Sequence, residues 1–472
     1  MNKASSYDVV VVGGGPGGYV AAARAAALGF KTALVEKDKA LGGTCLHRGC
    51  IPTKALLHAA DVYSDMQHAH HMGMTMKGVS VDWSKIQRNK QRIVDTNAGG
   101  VQHLMKSRGV EVHSGFATLK SPTQVCVQPA KKAKPYTLST KYLLLAVGSA
   151  PRPLPFAPFD HKSNRILSSD GVLQLDQIPG SLAIVGGGVI GVEFASVYAR
   201  FGCQVTILEA TDRLLPTADA DCSQELAKQF TKQGMQIHTQ VQVQDISSQK
   251  QTVSVKFAQS NGKQAVCKAQ YVLVCIGRAP LTDGIGLQNT QVQLDDKGFV
   301  QVNPYMQTHQ ENIYAIGDCV NTPWLAHVAS AEGLLAVQHM ANKQPAPLNY
   351  DHMPSCVYSD PPVAQCGLTQ QQAQQAGYDV KVSKFPFARS GKASILGKKE
   401  GFIKLVTDAR YGEILGAHMI GPQATELIAE PSFAMQLEAT VADLAASVHA
   451  HPTLYEAIYE AACMATDQAI HG

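Results

Sequence analysis

Short apolar runs, each closed by glycine, set the rhythm of the chain. Residues 8–12 predict a strand that runs into Gly13-Gly14-Gly15-Pro16-Gly17-Gly18. An alanine-rich helical pattern over 19–28 follows, then Gly29 and a second strand, 31–35, closing on Glu36. The succession returns as a strand over 181–185, Gly186-Gly187-Gly188-Val189-Ile190-Gly191, a helical pattern through Arg200, Gly202, and a strand over 204–208 closing on Glu209. The runs 142–147, 271–276 and 313–316 are of strand length, and none nears the roughly 20 residues of a membrane span. Beyond Tyr350, predicted strands (402–407, 414–420) and a helix (424–436) indicate a mixed α/β region, with weak signals over 383–398.

Strand, G-x-G-x-x-G loop, helix, strand and acid form a dinucleotide-binding unit. Gly13 makes the tight turn, Gly15 lets a pyrophosphate approach the backbone, and Gly18 allows close helix–strand packing. The free N–H groups and dipole at the helix N-terminus attract phosphate. Glu36 is placed to accept hydrogen bonds from a ribose diol. Gly186, Gly188, Gly191 and Glu209 repeat these positions at the same glycine-to-acid interval. Two dinucleotide sites in one chain imply electron transfer between two dinucleotides. Glu209 suits a free 2′-hydroxyl and would repel a 2′-phosphate, with Arg213 the nearest cation, so NADH is expected over NADPH.

Between the first unit and the rest lies Gly42-Gly43-Thr44-Cys45-Leu46-His47-Arg48-Gly49-Cys50-Ile51-Pro52-Thr53-Lys54. In a regular helix, Cα atoms five residues apart are roughly 8–9 Å from each other. A disulfide needs less than about 7 Å. A Cys45–Cys50 bridge therefore requires a looped backbone, which Gly49 permits. By themselves the cysteines are equally two unrelated buried thiols or a strained, accessible and hence labile redox pair. The neighbouring nucleotide fingerprint favours the second.

Bulk properties narrow the class. A length of 472 residues suggests about three domains. With 45% hydrophobic and 17% charged residues the chain reads as a soluble globular protein, and a net charge of +4 gives no argument for nucleic acid. Eleven scattered cysteines, an odd number, do not form a secreted disulfide framework. Residues 1–7 lack an apolar signal core, so a cytoplasmic location is expected.

Taken together and in this order, the motifs resemble the class I pyridine nucleotide-disulfide oxidoreductases, the flavoprotein disulfide reductases, over essentially the whole length. They are the two fingerprints, the cysteine segment, Ala146-Val147-Gly148-Ser149, Ile276-Gly277-Arg278, Tyr314-Ala315-Ile316-Gly317-Asp318, and His449-Ala450-His451-Pro452-Thr453-Leu454-Tyr455-Glu456. The resemblance implies an α/β fold: two Rossmann-like domains, for FAD and NAD, and a C-terminal mixed α/β dimerisation domain. The implied boundaries are 1–150 (FAD), 151–276 (NAD), 277–348 (central, completing the FAD side) and 349–472 (interface).

The resemblance also implies roles. FAD would take the first site, with Glu36 on its adenosine ribose and Asp318 on its ribityl chain. Lys54, four residues after Cys50 on one helical face, would sit by the flavin. NAD would take Gly186 to Glu193, with Glu209, Val241 and Gly277; Glu193 would lie on the nicotinamide side and meet Lys54. Further cofactor contacts are implied at Lys37, Gly43, Thr44, Ala117, Gly148, Ser149, Arg278, Leu325, Ala326 and His327. Cys45 would be the interchange thiol and Cys50 the thiolate against the flavin. His451, supplied by the partner of a homodimer, would take the substrate's proton, with Glu456 supporting the imidazolium. The Pro452 ring pushes His451 out of helical geometry, and a helix is expected to start at the proline; His449 is the expected bystander.

The implied activity is oxidation of dihydrolipoyl to lipoyl groups with NAD⁺, as the E3-type component of a 2-oxo acid dehydrogenase complex or of glycine cleavage. The implied partner is a lipoyl-bearing domain of an acyltransferase or carrier protein, with neither nucleic acid nor membrane. The alternatives are a glutathione-type reductase and a flavoprotein with an added binding role. Some positions depart from the family pattern. His47-Arg48 between the cysteines should lower the thiolate pKa, Val147 stands where Thr is usual, and Tyr455 could narrow the substrate channel. No metal site is expected: His68 to Met76 carries soft ligands but reads as a surface segment with packed methionines, Lys131-Lys132-Ala133-Lys134 as a hairpin tip, and 370–375 as an exposed helix.

Overall fold

The computed structural model describes residues 5–129, 133–159 and 165–471. Lys131 and Lys132 of the expected hairpin tip lie outside the described residues. The chain forms two compact units. The first comprises Met1–Ala55, Ser84–Arg152 and Gly277–Tyr350; the second comprises Leu56–Trp83, Pro153–Ile276 and Asp351–Gly472.

In the first unit, Ser5–Val12 lies between Thr32–Glu36 and Tyr136–Leu145, parallel to both, so that Val12 pairs with Val35 on one side and Leu145 on the other. Glu111–Ser114 and Ile313–Ala315 extend the parallel sheet, and Gln124–Gln128 and Phe116–Ser121 add an antiparallel edge. Val9, Val10 and Val11 are wholly buried, as continuous apolar strands are when both sheet faces are covered. The level strand ends bring the glycine loop, residues 146–148 and Gly317 out at one edge, where open α/β sheets bind ligands. Helix Pro16–Ala27 opens with a proline whose missing N–H costs nothing at that position. It meets helix Ala326–Met340 almost backbone to backbone: a Cβ on Gly17 would lie 2.9 Å from the Ala329 oxygen, and one on Gly333 2.9 Å from the Gly17 oxygen.

In the second unit, Ser181–Val185, Gln204–Leu208, Gln236–His238, Tyr271–Val274 and Ile166–Leu167 form a parallel sheet. A three-stranded antiparallel sheet spans Gln242–Ser248, Val253–Ala258 and Gln264–Ala269. The C-terminal part is a five-stranded antiparallel sheet, Ser355–Val357, Val363–Gly367, Ile414–Ile420, Phe402–Asp408 and Val380–Pro386 in that spatial order, with helix Glu456–Ala465 on its core.

Two expectations need correction here, and one weakly signalled stretch is filled in. The single helix over 424–436 is two, Ala424–Leu427 and Ala429–Gln436, because Pro431 has no N–H for the Leu427 carbonyl and fits only a first turn. The weak stretch 383–398 holds the end of strand Val380–Pro386 and the helix Gly391–Leu396. Met72, Met74 and Met76 are exposed, not packed. The glutamine-rich helix Gln370–Gln375 does form, capped by the reciprocal Thr369/Gln372 bonds.

Candidate active site

Three distances explain the first glycine loop. Gly13 has φ +103°, and a Cβ there would sit 2.2 Å from the Ala146 oxygen; one on Gly18 would sit 1.9 Å from the Gly13 oxygen. At Gly15 the nearest atom would be 3.9 Å away, so that face is open. Gly15 caps the helix with no side-chain hydrogen bond, leaving the first-turn N–H groups to a ligand. The second loop repeats this: 2.5 Å from Gly186 to the Cys275 oxygen, 2.0 Å from Gly191 to the Gly186 oxygen, and nothing within 4 Å of Gly188. Both loops therefore fit a dinucleotide pyrophosphate, and the residues present suit FAD and NAD.

Each acid braces its own loop. Glu36 is buried; Oε2 accepts from Gly14 N–H at 2.7 Å and Oε1 from Asp38 N–H at 2.8 Å. Glu209, also buried, accepts from Gly187 N–H at 2.5 Å, Thr211 N–H at 2.7 Å and the Thr211 hydroxyl at 2.8 Å. A carboxylate oxygen has two lone pairs, so each acid keeps capacity for a ribose hydroxyl.

At the edge of the first sheet, Arg278 Nε donates to Ser149 Oγ at 2.7 Å and its Nη2 to the Ser149 carbonyl at 2.7 Å. Ser149 Oγ donates in turn to Asp318 Oδ2, fixing that carboxylate. Strand pairing of Ser149–Pro151 with Arg278–Pro280 holds the group. Leu325 caps helix Ala326–Met340 without a side-chain bond, and Ala326 and the exposed His327 open its first turn. Gly148 and Gly277, both at positive φ, have no neighbour within 4 Å of a Cβ position. Lys37 is exposed. Ala117 and Val241 are buried within apolar cores. Glu193 is buried on helix Val189–Arg200 and accepts from Tyr358 N–H at 3.0 Å.

The cysteine segment is docked on the first loop. Gly42 N–H donates to the Gly14 oxygen at 2.8 Å, and Gly43, at φ +57°, approaches Gly15 so closely that a Cβ would lie 2.6 Å from its Cα. Cys45 and Thr44 lie on helix Gly43–Arg48; the chain breaks at Gly49 and restarts as helix Cys50–His68, which carries Lys54. The interruption brings the two thiols into side-chain contact. Gly49 is needed for close approach, since a Cβ would come within 3.1 Å of the Thr44 oxygen. Both cysteines are half-buried thiols. The hydrogen bond to Cys50, burial and the charge of a Cys50 thiolate hold the Cys45 proton on, with Lys54 opposing. Between the cysteines, Arg48 pairs with Asp38 at 2.8 Å, and His47 Nε2 lies 2.9 Å from the Leu41 carbonyl oxygen.

At the C-terminus, His451 Nδ1 is 2.7 Å from Glu456 Oε1, and Glu456 Oε2 accepts from Thr453 N–H at 2.8 Å. Burial would raise the Glu456 pKa, but the bonds from His451 and Thr453 hold it below its usual value. The helix starts at Glu456 and not at Pro452, so the first-turn acid reaches back to the histidine. The His451 side chain is 79% exposed, whereas that of His449 is 11% exposed and bound to Glu430 at 2.7 Å and the Ser447 carbonyl at 3.1 Å. Tyr455 is exposed. Among the described residues no group of three or more His, Cys, Asp or Glu could hold a metal ion, and His68 and His70 turn Nδ1 to backbone carbonyls.

Residues 7–333 match the pyridine nucleotide-disulphide oxidoreductase family, and residues 353–462 match the dimerisation domain of those proteins. A dihydrolipoyl dehydrogenase of Bacillus subtilis is 44% identical over 99% of this chain and 100% of its own length. One from Geobacillus stearothermophilus is 41% identical over 98% and 97%. Among solved structures, LpdA from Mycobacterium tuberculosis superposes with a TM-score of 0.90 at 26% identity, covering 98% of this chain and 99% of that one. The HOCl-induced flavoprotein disulfide reductase RclA of Escherichia coli, solved as a Cu(II) complex, gives 0.87 at 26% identity over 98% and 100%.

Proposed function

The chain belongs to the pyridine nucleotide-disulphide oxidoreductases, and we propose that its reaction runs through Cys45, Cys50, His451 and Glu456. It is an FAD-dependent enzyme that oxidises dihydrolipoyl groups with NAD⁺ as acceptor. The supporting observation is the contact of Cys45 with Cys50 on a segment hooked to the first glycine loop, in a chain with two such loops.

His451 Nε2 takes the proton of a dihydrolipoyl thiol while Glu456 holds Nδ1 and stabilises the imidazolium. The substrate thiolate attacks Cys45 Sγ of the oxidised pair; the Cys45–Cys50 bond breaks, and its electron pair passes to Cys50. The second substrate thiol then displaces Cys45, closing the lipoyl disulfide and leaving two electrons on the cysteine pair. When bound, FAD supplies the two-electron relay from this pair to the nicotinamide of NAD⁺. Lys54 favours the charged form of the pair, and Glu209 favours NAD⁺ over NADP⁺.

The dimerisation domain supports a homodimer. The exposed His451 ring is then offered to the partner's thiol pair, and the substrate arrives on a lipoyl-bearing domain of an acyltransferase or carrier protein. No described helix is long and apolar enough to cross a membrane. A cytoplasmic setting suits the other cysteines, which are all thiols. Assay with dihydrolipoamide and either nucleotide tests the reading: NAD⁺ should support turnover far better than NADP⁺, and equal rates would contradict the role given to Glu209.

A further inference from the structure

Glu332 is the one acidic residue in helix Ala326–Met340, and it is wholly buried. Its Oε2 accepts from Gly317 N–H at 2.6 Å, and its Oε1 accepts from the Tyr350 hydroxyl at 3.0 Å. Burial raises its pKa, and the nearby Thr322 hydroxyl together with these two bonds opposes the rise. Both oxygens act as acceptors, so no bond in the site needs a proton from Glu332 itself.

What the carboxylate holds matters more than its charge. Gly317 has φ +68°, and its Cβ position would meet the Ala329 side chain at 3.2 Å, so this turn is pressed onto the helix one turn before Glu332. The next residue is Asp318, whose carboxylate is fixed from the other side by Ser149 and Arg278. Gly333, adjacent to Glu332, makes the close crossing with Gly17 in the helix that opens at the first phosphate loop. A single side chain therefore ties the Asp318 turn to the helix packed against the pyrophosphate helix.

We propose that Glu332 is a positioning residue of the flavin site, fixing the Gly317 peptide so that Asp318 presents its carboxylate to the FAD ribityl hydroxyls. It rests on the reading that FAD occupies the first site with Asp318 on its ribityl chain. Without Glu332 the Gly317 N–H is left buried and unpaired, and the turn is free to rotate toward water.

A thermodynamic cycle on FAD affinity of the deflavinated full chain tests this, read by the fluorescence change on flavin release. Asp318→Ala and Glu332→Ala should each raise the FAD Kd about ten-fold, and the double variant should lie within about two-fold of the weaker single variant, because the two act as one unit. Glu332→Gln, which keeps an acceptor for Gly317, should stay within about two-fold of the native affinity. Glu332→Asp, one methylene short, replaces the alanine variant in the same cycle should that variant fail to fold. A full loss for Asp318→Ala with an additive double variant, or unchanged affinity in Glu332→Ala, overturns the positioning role. No loss for Asp318→Ala alone overturns the placement of FAD at Asp318 and this proposal with it.

Discussion

The two glycine loops are built alike down to the residue that backs them. In the first, Gly14 meets Leu41 and accepts from Gly42 N–H at 2.8 Å; in the second, Gly187 meets Leu214 and accepts from Leu215 N–H at 2.9 Å. There the likeness stops. After Gly42 the chain enters the helix that carries Cys45, whereas after Leu215 it passes Pro216 and reaches its next helix only at Ala220. The nucleotide scaffold is thus common to both units, and the redox chemistry is a graft at one point on one copy. Function resides in the graft, as expected where a fold is used twice.

The largest effects should come from the closest backbone approaches. Gly18→Ala puts a Cβ 1.9 Å from an oxygen and should yield flavin-free protein, scored by the 450 nm region of the absorption spectrum. Gly191→Ala makes the same clash, at 2.0 Å, in the second unit. It should cut NAD⁺-linked turnover by about a hundred-fold or more, yet leave flavin content and dihydrolipoamide reduction of the bound flavin intact. Loss of flavin from that variant would break the separation between the two sites.

Next in size is His451→Gln, expected to lower kcat for dihydrolipoyl oxidation about 10²–10⁴-fold, the usual contribution of a general base, while leaving NADH binding unchanged by titration. Gly188→Ala sharpens the comparison. A Cβ there meets no protein atom, so the melting temperature should hold within about 2 °C while the KM for NAD⁺ rises about ten-fold. The smallest effect is in pH. Glu456 ionises below its usual range because His451 and the Thr453 N–H are hydrogen-bonded to it. Glu456→Gln should therefore flatten the fall in melting temperature on acidification. By the same sign, whatever stability Glu456 contributes is present above the unfolded carboxylate value, about 4.3, and is lost as pH falls through its depressed folded value.

The glycine loops, their acids and the cysteine segment were legible in the sequence because their constraints are local: a turn, a close approach, a helix start. Long-range partners were not. That Arg48 turns to Asp38 is settled by the fold of the loop between them, so its charge could not be assigned to the cysteines from spacing. His449 and His451 stand two residues apart in one motif, and only their opposite exposure separates them. Ala117 and Val241 lie within apolar cores whose other members come from distant strands, a placement that spacing alone does not give. Glu332 had one signal, an acid in an otherwise apolar helical stripe between Val328 and Val337, but its partners Gly317 and Tyr350 come from elsewhere in the chain.

The most direct test counts thiols. Anaerobic reduction of the oxidised enzyme by excess dihydrolipoamide, followed by removal of the reagent and titration of the denatured chain, should reveal two more free thiols per chain than before reduction. The gain should vanish in Cys45→Ser, together with nearly all dihydrolipoyl oxidation, while FAD stays bound. No gain in the native enzyme, or undiminished turnover in Cys45→Ser, would contradict a reaction carried by the Cys45–Cys50 pair.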